Sequence, residues 1–354
     1  MAIDVTAHNP KEFQILVAEE TVVGTQPSAS TFKAIEVDSI SMPTYNDLRV
    51  MEQRSGTIGR VVNQNDLLSH EEGAVHEFSV SGVWTNELAP ILLENALGVE
   101  TASATSGNAV DNFITLMTGY EHAAFGYADT SSGAHNTVCF FVNGFQDSDV
   151  SATGNSYSIP GCVITSLKLS ASSQENGGRI NFEATAQTRN TLTATGAAKL
   201  SGFTDFTTNY KYLANFTEDK KVGNKDVILD SWELNIENPV AFLGNKTAGG
   251  FEGTPEKYLR GVPNLNITSA CVVKYDDNVD QWFQESKELT PITSAALLLS
   301  NNATFASATD IGFDITAGVV EEVSFDEGDY LKLSATIKMI DKGSGYMIRC
   351  RPAS

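Results

Sequence analysis

The amino-acid sequence predicts a mainly β protein in which two tandem β-sandwich or barrel domains each carry one flanking α-helix. Three observations support this prediction: a polar composition with few charges, several segments in which apolar and polar residues alternate, and similar segments that recur in the same order in both halves of the chain. Alternation with a period of two places the apolar side chains on one face of a strand. The chain has 354 residues, which corresponds to about two domains at roughly 150 residues each.

The composition excludes several classes of protein. Hydrophobic residues make up 41% of the chain and charged residues 19%, a balance that is typical of a globular protein and not of a disordered one. The 23 basic and 44 acidic residues give a net charge of −21, which repels nucleic-acid phosphates and anionic membranes. No apolar run reaches the roughly 18 residues of a membrane span, and the first residues lack the pattern of a signal peptide. We therefore expect a protein of a reducing compartment that neither spans a membrane nor reads a DNA sequence.

The first half begins with residues 1–31, which show no clear period and predict an irregular arm. Residues 32–42 and 74–84 alternate as strands do, and the phase of the first slips at Asp38-Ser39, as it does at a β-bulge. A helix follows, and four of its apolar residues share one face of a 3.6-residue period: Leu88, Ile91, Leu92 and Ala96.

The rest of the first half predicts a loop, further strands and a hairpin. Residues 99–112 are small and predict a loop, and strand-like runs follow near residues 113–127 and 137–145. Two runs then flank the turn Gln174–Gly177, whose Asn-Gly pair is a strong hairpin signal: residues 161–173 and 178–189. A small, polar segment near residues 191–209 predicts a linker.

The second half predicts the same succession of elements. Residues 227–237 and 265–275 predict strands, and a helix follows in which Val279, Trp282 and Phe283 share a face. Two further strands, at residues 319–325 and 330–340, flank an acidic turn. The predicted divisions are an arm, a first domain, a linker and a second domain: residues 1–31, 32–190, 191–209 and 210–354.

The two halves contain three pairs of similar segments in the same order. Segments that recur in the same order are a sequence signature of a duplicated structural unit. Individually weak, the three matches together favour a tandem duplication over two unrelated β domains. The pairs are residues 37–42 with 229–234, 78–97 with 265–286, and 180–186 with 331–337.

The sequence contains no constellation that predicts catalysis, a cofactor site or a metal site. The histidines and cysteines lack the spacing of zinc ligands or of a nucleophile–base pair, and we expect the cysteines to be reduced and mostly buried. Two acidic groups, at residues 147–155 and 276–280, lack the spacing of a calcium loop and are interpreted as a solvated turn and a helix cap. The residues concerned are His8, His70, His76, His122, His135, Cys139, Cys162, Cys271 and Cys350.

Several segments of the chain, in the order in which they occur, resemble those of the tail tube, or major tail, proteins of long-tailed bacteriophages. The resemblance spans most of residues 18–340, and its motifs are specific in their order more than individually. It is carried by Glu20–Pro27, Met51–Arg60, Ser79–Trp84 with Leu88–Leu97, Ser231–Asn238 and Ile267–Phe283.

The resemblance implies a structural virion protein that is not an enzyme. In this family tube domains form six-fold rings with a continuous inner barrel, so a two-domain chain would form a trimeric, pseudo-hexameric ring. The implied partners are other copies of the chain, the tape-measure protein in the lumen, the tail terminator and distal tail proteins, and DNA that passes without sequence-specific binding. The implied location is the virion tail, after assembly in the bacterial cytoplasm. Residues 1–31 and 43–73, with Arg54 and Arg60, are expected to connect successive rings.

Three alternatives remain open on the sequence. Another tail component, such as a distal tail, terminator or baseplate ring protein, would form one ring and not elongate. A carbohydrate-binding or adhesin module would expose aromatic side chains on a monomer, whereas Trp84, Trp232 and Trp282 lie in amphipathic patterns typical of a core. An enzyme would require a site that the sequence does not show.

Overall fold

The computed structural model describes most of the predicted elements and a smaller part of the loops. The described residues are 13–42, 75–85, 88–97, 100–102, 112–117, 124–126, 137–144, 156–189, 199–205, 215–243, 257–260, 264–272, 279–301, 311–327, 331–340 and 346–352.

The described part of the chain is mainly β, and every ladder between its strands is antiparallel. The first half contains β1 (Gln14–Glu19), β2 (Lys33–Ile35), β3 (Val37–Ser41), β4 (His76–Val83), α1 (Ala89–Leu97), β5 (Glu100–Ala102), β6 (Asn112–Met117), β7 (Ala124–Gly126), β8 (Val138–Asn143), β9 (Tyr157–Ser172) and β10 (Asn181–Thr188). The second half contains β11 (Asp219–Val222), β12 (Lys225–Asp226), β13 (Ile228–Glu237), β14 (Val240–Leu243), β15 (Lys257–Arg260), β16 (Asn264–Val272), α2 (Val279–Glu288), β17 (Pro291–Ile292), β18 (Leu297–Ser300), β19 (Ile311–Ile315), β20 (Gly318–Glu327), β21 (Leu331–Met339) and β22 (Tyr346–Pro352).

The strands form three sheets, and the largest runs through both halves of the chain. The main path of this twelve-stranded sheet is β17-β20-β21-β16-β13-β9-β10-β4-β3, and β8, β1 and β2 continue from β9 in a branch. The seven-stranded sheet has the order β12-β11-β18-β19-β22-β6-β5, and β14, β15 and β7 form a small third sheet.

The main hydrophobic core lies between the two larger sheets and under α1. It joins residues of the twelve-stranded sheet, such as Trp232 and Leu234, to residues of the seven-stranded sheet, such as Phe313 and Leu299. The rings of Trp232 and Phe313 lie 5.4 Å apart, within the range of favourable aromatic contacts. The predicted placement of the three tryptophans in the core is confirmed, since Trp84, Trp232 and Trp282 are all buried.

Most of the predicted strands and both helices are confirmed. The hairpin of β9 and β10 forms, and Asn176 and Gly177 in its turn both have positive φ, which Asn and Gly adopt most readily. The bulge predicted at Asp38 is present, because the register of β3 against β4 shifts between Val37 and Ser39. Residues 32–42 form two strands, β2 and β3, where the alternation predicted one.

The prediction of an irregular arm is wrong for residues 14–19. This segment is β1, which pairs with β8 along its whole length and with β2 on its other side. The prediction of a loop over residues 99–112 is wrong at residues 100–102, which form β5 against β6. In the predicted linker, Thr204 exchanges backbone hydrogen bonds with Phe32 and Ala34, so residues 199–205 lie against the first half.

Candidate functional site: the junction and the open edges of the large sheet

The two halves of the chain meet in one antiparallel ladder within the twelve-stranded sheet. β13 of the second half pairs with β9 of the first half from Ser231 opposite Ser172 to Glu237 opposite Ser166. We call this ladder the internal junction. Its core-facing side is apolar, since Leu234 lies opposite Leu169 and both are fully buried.

Polar contacts stabilise the internal junction at one end and on the face of the sheet that lies away from the core. At one end the backbone N–H of Asn238 donates to the carbonyl of Thr165 (2.8 Å), and its side-chain amide donates to the carbonyl of Ile164 (2.7 Å). On the opposite face of the sheet from Leu234, the Lys168 ammonium lies 2.8 Å from the Glu233 carboxylate, with both side chains about one-third exposed.

The other end of the internal junction holds a buried carboxylate. Asp230 is 7% exposed, and it accepts hydrogen bonds from the Ser173 hydroxyl, from the Gln174 amide (3.2 Å) and from the Lys332 ammonium (2.6 Å). The bond from Lys332, followed by that from Ser173, lowers the pKa of the Asp230 carboxyl. This network ties the β9–β10 turn of the first half to two strands of the second half.

At one end of the large sheet, β3 has an open outer edge. In the described residues β3 pairs only with β4, so the hydrogen-bonding groups on its other side have no strand partner. Ile40 lies opposite the buried Val80 and so points to the core side of the sheet, but it is 38% exposed. An open edge of this kind accepts another strand readily.

At the other end of the sheet, β20 has an outer edge that is largely open. β17 covers it only at Gly318 and Val319, and within the described chain no strand pairs with the outer edge from 321 to 327. Phe325 lies opposite the buried Leu333 and is 47% exposed. Its ring lies 5.1 Å from that of Phe283 on α2. Both ends of the large sheet therefore combine an open edge with an exposed apolar side chain on the core side.

The buried carboxyl of Glu20 connects separate segments of the first half of the chain. Glu20 is 4% exposed and accepts hydrogen bonds from the Thr137 hydroxyl (2.5 Å) and from the backbone N–H groups of Gly161 and Gly24 (both 2.8 Å). Burial raises the pKa of this carboxyl despite the three donors. The carboxyl anchors the turn after β1 to β8 and β9.

Cys139 and Cys162 are buried thiols of low reactivity. Cys139 and Cys162 are free thiols, as predicted, and both are fully buried. Burial raises the pKa of each thiol, so little of either is present as the nucleophilic thiolate. Cys271 and Cys350 lie in β16 and β22.

Several sequence candidates lie outside the described residues. These are His8, His70, His122, His135, residues 43–73 with Arg54 and Arg60, the acidic group at residues 147–155, and Asp276 and Asp277. Among the residues that are described, no group of three or more His, Cys, Asp or Glu side chains is placed to hold a metal ion. No helix of this described part is long and apolar enough to cross a membrane.

The sequence matches no protein-family model and none of the curated proteins with which it was compared. The open edges and the internal junction are therefore the features from which a function can be argued.

Proposed function

We propose that the chain is a structural virion protein, the tail tube subunit of a long-tailed bacteriophage, which assembles side by side into rings that stack as a conduit for DNA. The observation that carries this proposal is one sheet that joins two halves of repeated strand order and, among the described residues, has no further strand beyond β3 or along most of β20. Copies that join such ends make a head-to-tail contact, and a contact of this type closes into a ring when its rotation divides a full turn.

The strand order supports a tandem duplication. From the internal junction outward, the first half has the order β9-β10-β4-β3. In the second half β20-β21-β16-β13 has the same order, when the sequence repeat matches β10, β4 and β3 to β21, β16 and β13, and β20 is matched to β9 as the hairpin partner of β21. Three further strands in each half also support the duplication. The strands β8, β1 and β2 pair in this order in the branch of the large sheet, as β18, β11 and β12 do in the seven-stranded sheet.

The irregularities of the ladders support the duplication more strongly, because bulges are local features that pattern alone does not require. The register shifts between Val37 and Ser39 in the first half and between Leu229 and Ser231 in the second. The sequence repeat aligns these two positions residue by residue.

A second pair of bulges falls at aligned positions. The ladder of β9 and β10 shifts at Thr185-Ala186, and the ladder of β20 and β21 shifts at Thr336-Ile337. These two pairs also correspond in the repeat. We infer two tandem tube domains that share their sheets, with β1 belonging to the first domain because it occupies the place of β11.

The duplication suggests the composition of the ring. Two similar domains per chain make three chains equivalent to six domains, the pseudo-hexamer expected from the family resemblance. The net charge of −21 supports a bore that does not retain DNA, since like charges repel phosphate. The proposed partners are other copies, the tape-measure protein, and the terminator and distal tail proteins at the two ends of the tube.

Negative-stain electron microscopy with mass measurement by light scattering tests this proposal. We expect hollow tubes, or rings of three chains with six lobes, as the protein is concentrated. Rings of six whole chains with twelve lobes would contradict the pseudo-hexamer, and single rings that never stack would favour a terminator, distal tail or baseplate protein. A monomer at every concentration would contradict self-assembly.

A further inference from the structure

We propose that the outer edge of β3 in one copy pairs with the outer edge of β20 in a second copy, in the register of the internal junction. This inference rests on the proposed function, because it assigns the contact through which copies join. It places Ser41 opposite Asp326 and Met42 opposite Phe325.

The register follows from the two correspondences between the halves. The aligned bulges match Ser231 in β13 to Ser39 in β3, which makes Leu234 the counterpart of Met42. The bulges of the other pair of ladders match Leu169 in β9 to Phe325 in β20. Leu234 lies opposite Leu169 in the internal junction, so the same pairing brings Met42 opposite Phe325.

The exposed apolar residues are the counterparts of buried ones. Trp232 and Leu169 are 2% and 0% exposed in the internal junction, whereas their counterparts Ile40 and Phe325 are 38% and 47% exposed. All four point to the core side of the sheet. Pairing the edges would give Ile40 and Phe325 the surroundings that their counterparts already have, and burial of apolar surface is the main favourable term in association.

The covered length of β20 agrees with this pairing. In the first half β8 pairs with the beginning of β9 and β13 pairs with the remainder, from Ser166 to Ser172. In the second half β17 covers β20 at Gly318 and Val319, and no described strand pairs with the following part of this edge. The open part is the counterpart of the part of β9 that receives β13.

The helices agree as well. α1 contacts both β9 and β13, and so it lies across the internal junction. α2 contacts β20 through groups that include the ring of Phe283. In the proposed contact α2 would cover the β3 edge of the second copy as α1 covers β13.

The contact between copies lacks the ion pair of the internal junction. Lys168 and Glu233 correspond to Ser324 and Ser41, which are both exposed. Neither serine carries a charge, and the adjacent Glu322 on the β20 edge is exposed too. The contact between copies therefore has no counterpart of this ion pair.

Engineered disulfides test the register. The pair Ser41→Cys with Asp326→Cys places two cysteines directly opposite, about 4.5–5.5 Å apart between Cα atoms, which is within disulfide reach. The matched control, Ser41→Cys with Ser324→Cys, places them diagonally at about 7–8 Å, beyond that reach. After mild oxidation we expect disulfide-linked dimers and trimers on a non-reducing gel for the first pair, at least about fivefold more than for the control.

A charge substitution tests the apolar contact without relying on disulfides. Phe325→Glu places a carboxylate where the contact between copies must exclude water, and we expect self-association to weaken at least about tenfold. Leu243→Glu is the control, since Leu243 is 46% exposed and lies on β14, which belongs to the small third sheet. Circular dichroism and a thermal melt of both variants verify that each chain is folded.

The outcomes separate this inference from the proposed function. If rings or tubes form but the control cysteine pair cross-links as well as the first pair, or Phe325→Glu assembles as Leu243→Glu does, the register is wrong while the tube proposal stands. If the wild-type chain and all variants remain monomers and no cysteine pair cross-links, both are overturned.

Discussion

Replacement of Asp230 by alanine tests whether the buried network stabilises the internal junction. Asp230 accepts hydrogen bonds from Ser173, Gln174 and Lys332, and the side chain is 8% exposed. Hydrogen bonds to a charged group contribute about 1.5–3 kcal/mol each, and removing one partner of a buried ion pair costs about 3–5 kcal/mol. Lys332 is 24% exposed, so water can solvate its unpaired ammonium group and the loss of stability is smaller. We expect Asp230→Ala to lower the free energy of unfolding by about 2–3 kcal/mol.

Urea unfolding followed by tryptophan fluorescence measures this change. With an m value of about 3 kcal/mol per molar urea, the midpoint should fall by about 0.7–1 M. Asp226→Ala is the matched control, because Asp226 is 87% exposed and its carboxylate lies 3.9 Å from Lys221. We expect the control to change the free energy of unfolding by less than about 0.5 kcal/mol.

The loss of stability caused by Asp230→Ala should depend on pH. The folded protein lowers the pKa of Asp230 below its ordinary value of 3.8, so the unfolded chain binds this proton more tightly. The stabilisation is therefore fully present above that ordinary value and is lost as the pH falls through the lower, folded value. The difference between wild type and Asp230→Ala should narrow between pH 5 and strongly acid solution. A loss no larger than that of Asp226→Ala, or a difference that does not narrow, would refute the reasoning.

Three further predictions concern the interior. Gly82→Ala should prevent correct pairing of β3 with β4 and lower the melting temperature, because its Cβ would lie 2.0 Å from the carbonyl oxygen of Glu36. Folding raises the pKa of Glu20 above 4.5, so its contribution to stability is greatest below that pH and is lost as the pH rises through the folded value; Glu20→Gln should remove this pH dependence from urea midpoints measured between pH 4 and 8. Trp232→Ala should cost about 3–5 kcal/mol in urea unfolding, since it leaves a cavity beside Phe313; a loss under about 1 kcal/mol would contradict its place in the core.

Elements with one buried face were predictable from the sequence. β10 alternates between buried and more exposed residues, which is the pattern that a period of two describes. α1 presents its apolar residues at helical spacing, and the bulge at Asp38 appears as a slip in the alternation. In these elements one local period records which face meets the core.

β1 was missed because it has no such period. Its four central residues, Ile15–Ala18, are all buried, because one face packs into the main core and the other into a second apolar cluster that includes Phe32 and Phe141. A short apolar run of this kind does not distinguish a strand from other buried segments. The available signal was the run of four apolar residues itself, because an exposed arm would leave all four side chains in water.

The candidate site depends on strand neighbours that the local sequence pattern does not specify. The amino-acid pattern was sufficient to predict most of the strands, both helices and the order of the repeated segments, because these depend on residues that are close in the chain. The patterns of β13 and β3 are alike, but in the described fold β13 is an interior strand and β3 is an edge strand. Whether Ile40 is exposed and Trp232 buried depends on which strand lies beside each of them, and that neighbour comes from a distant part of the chain.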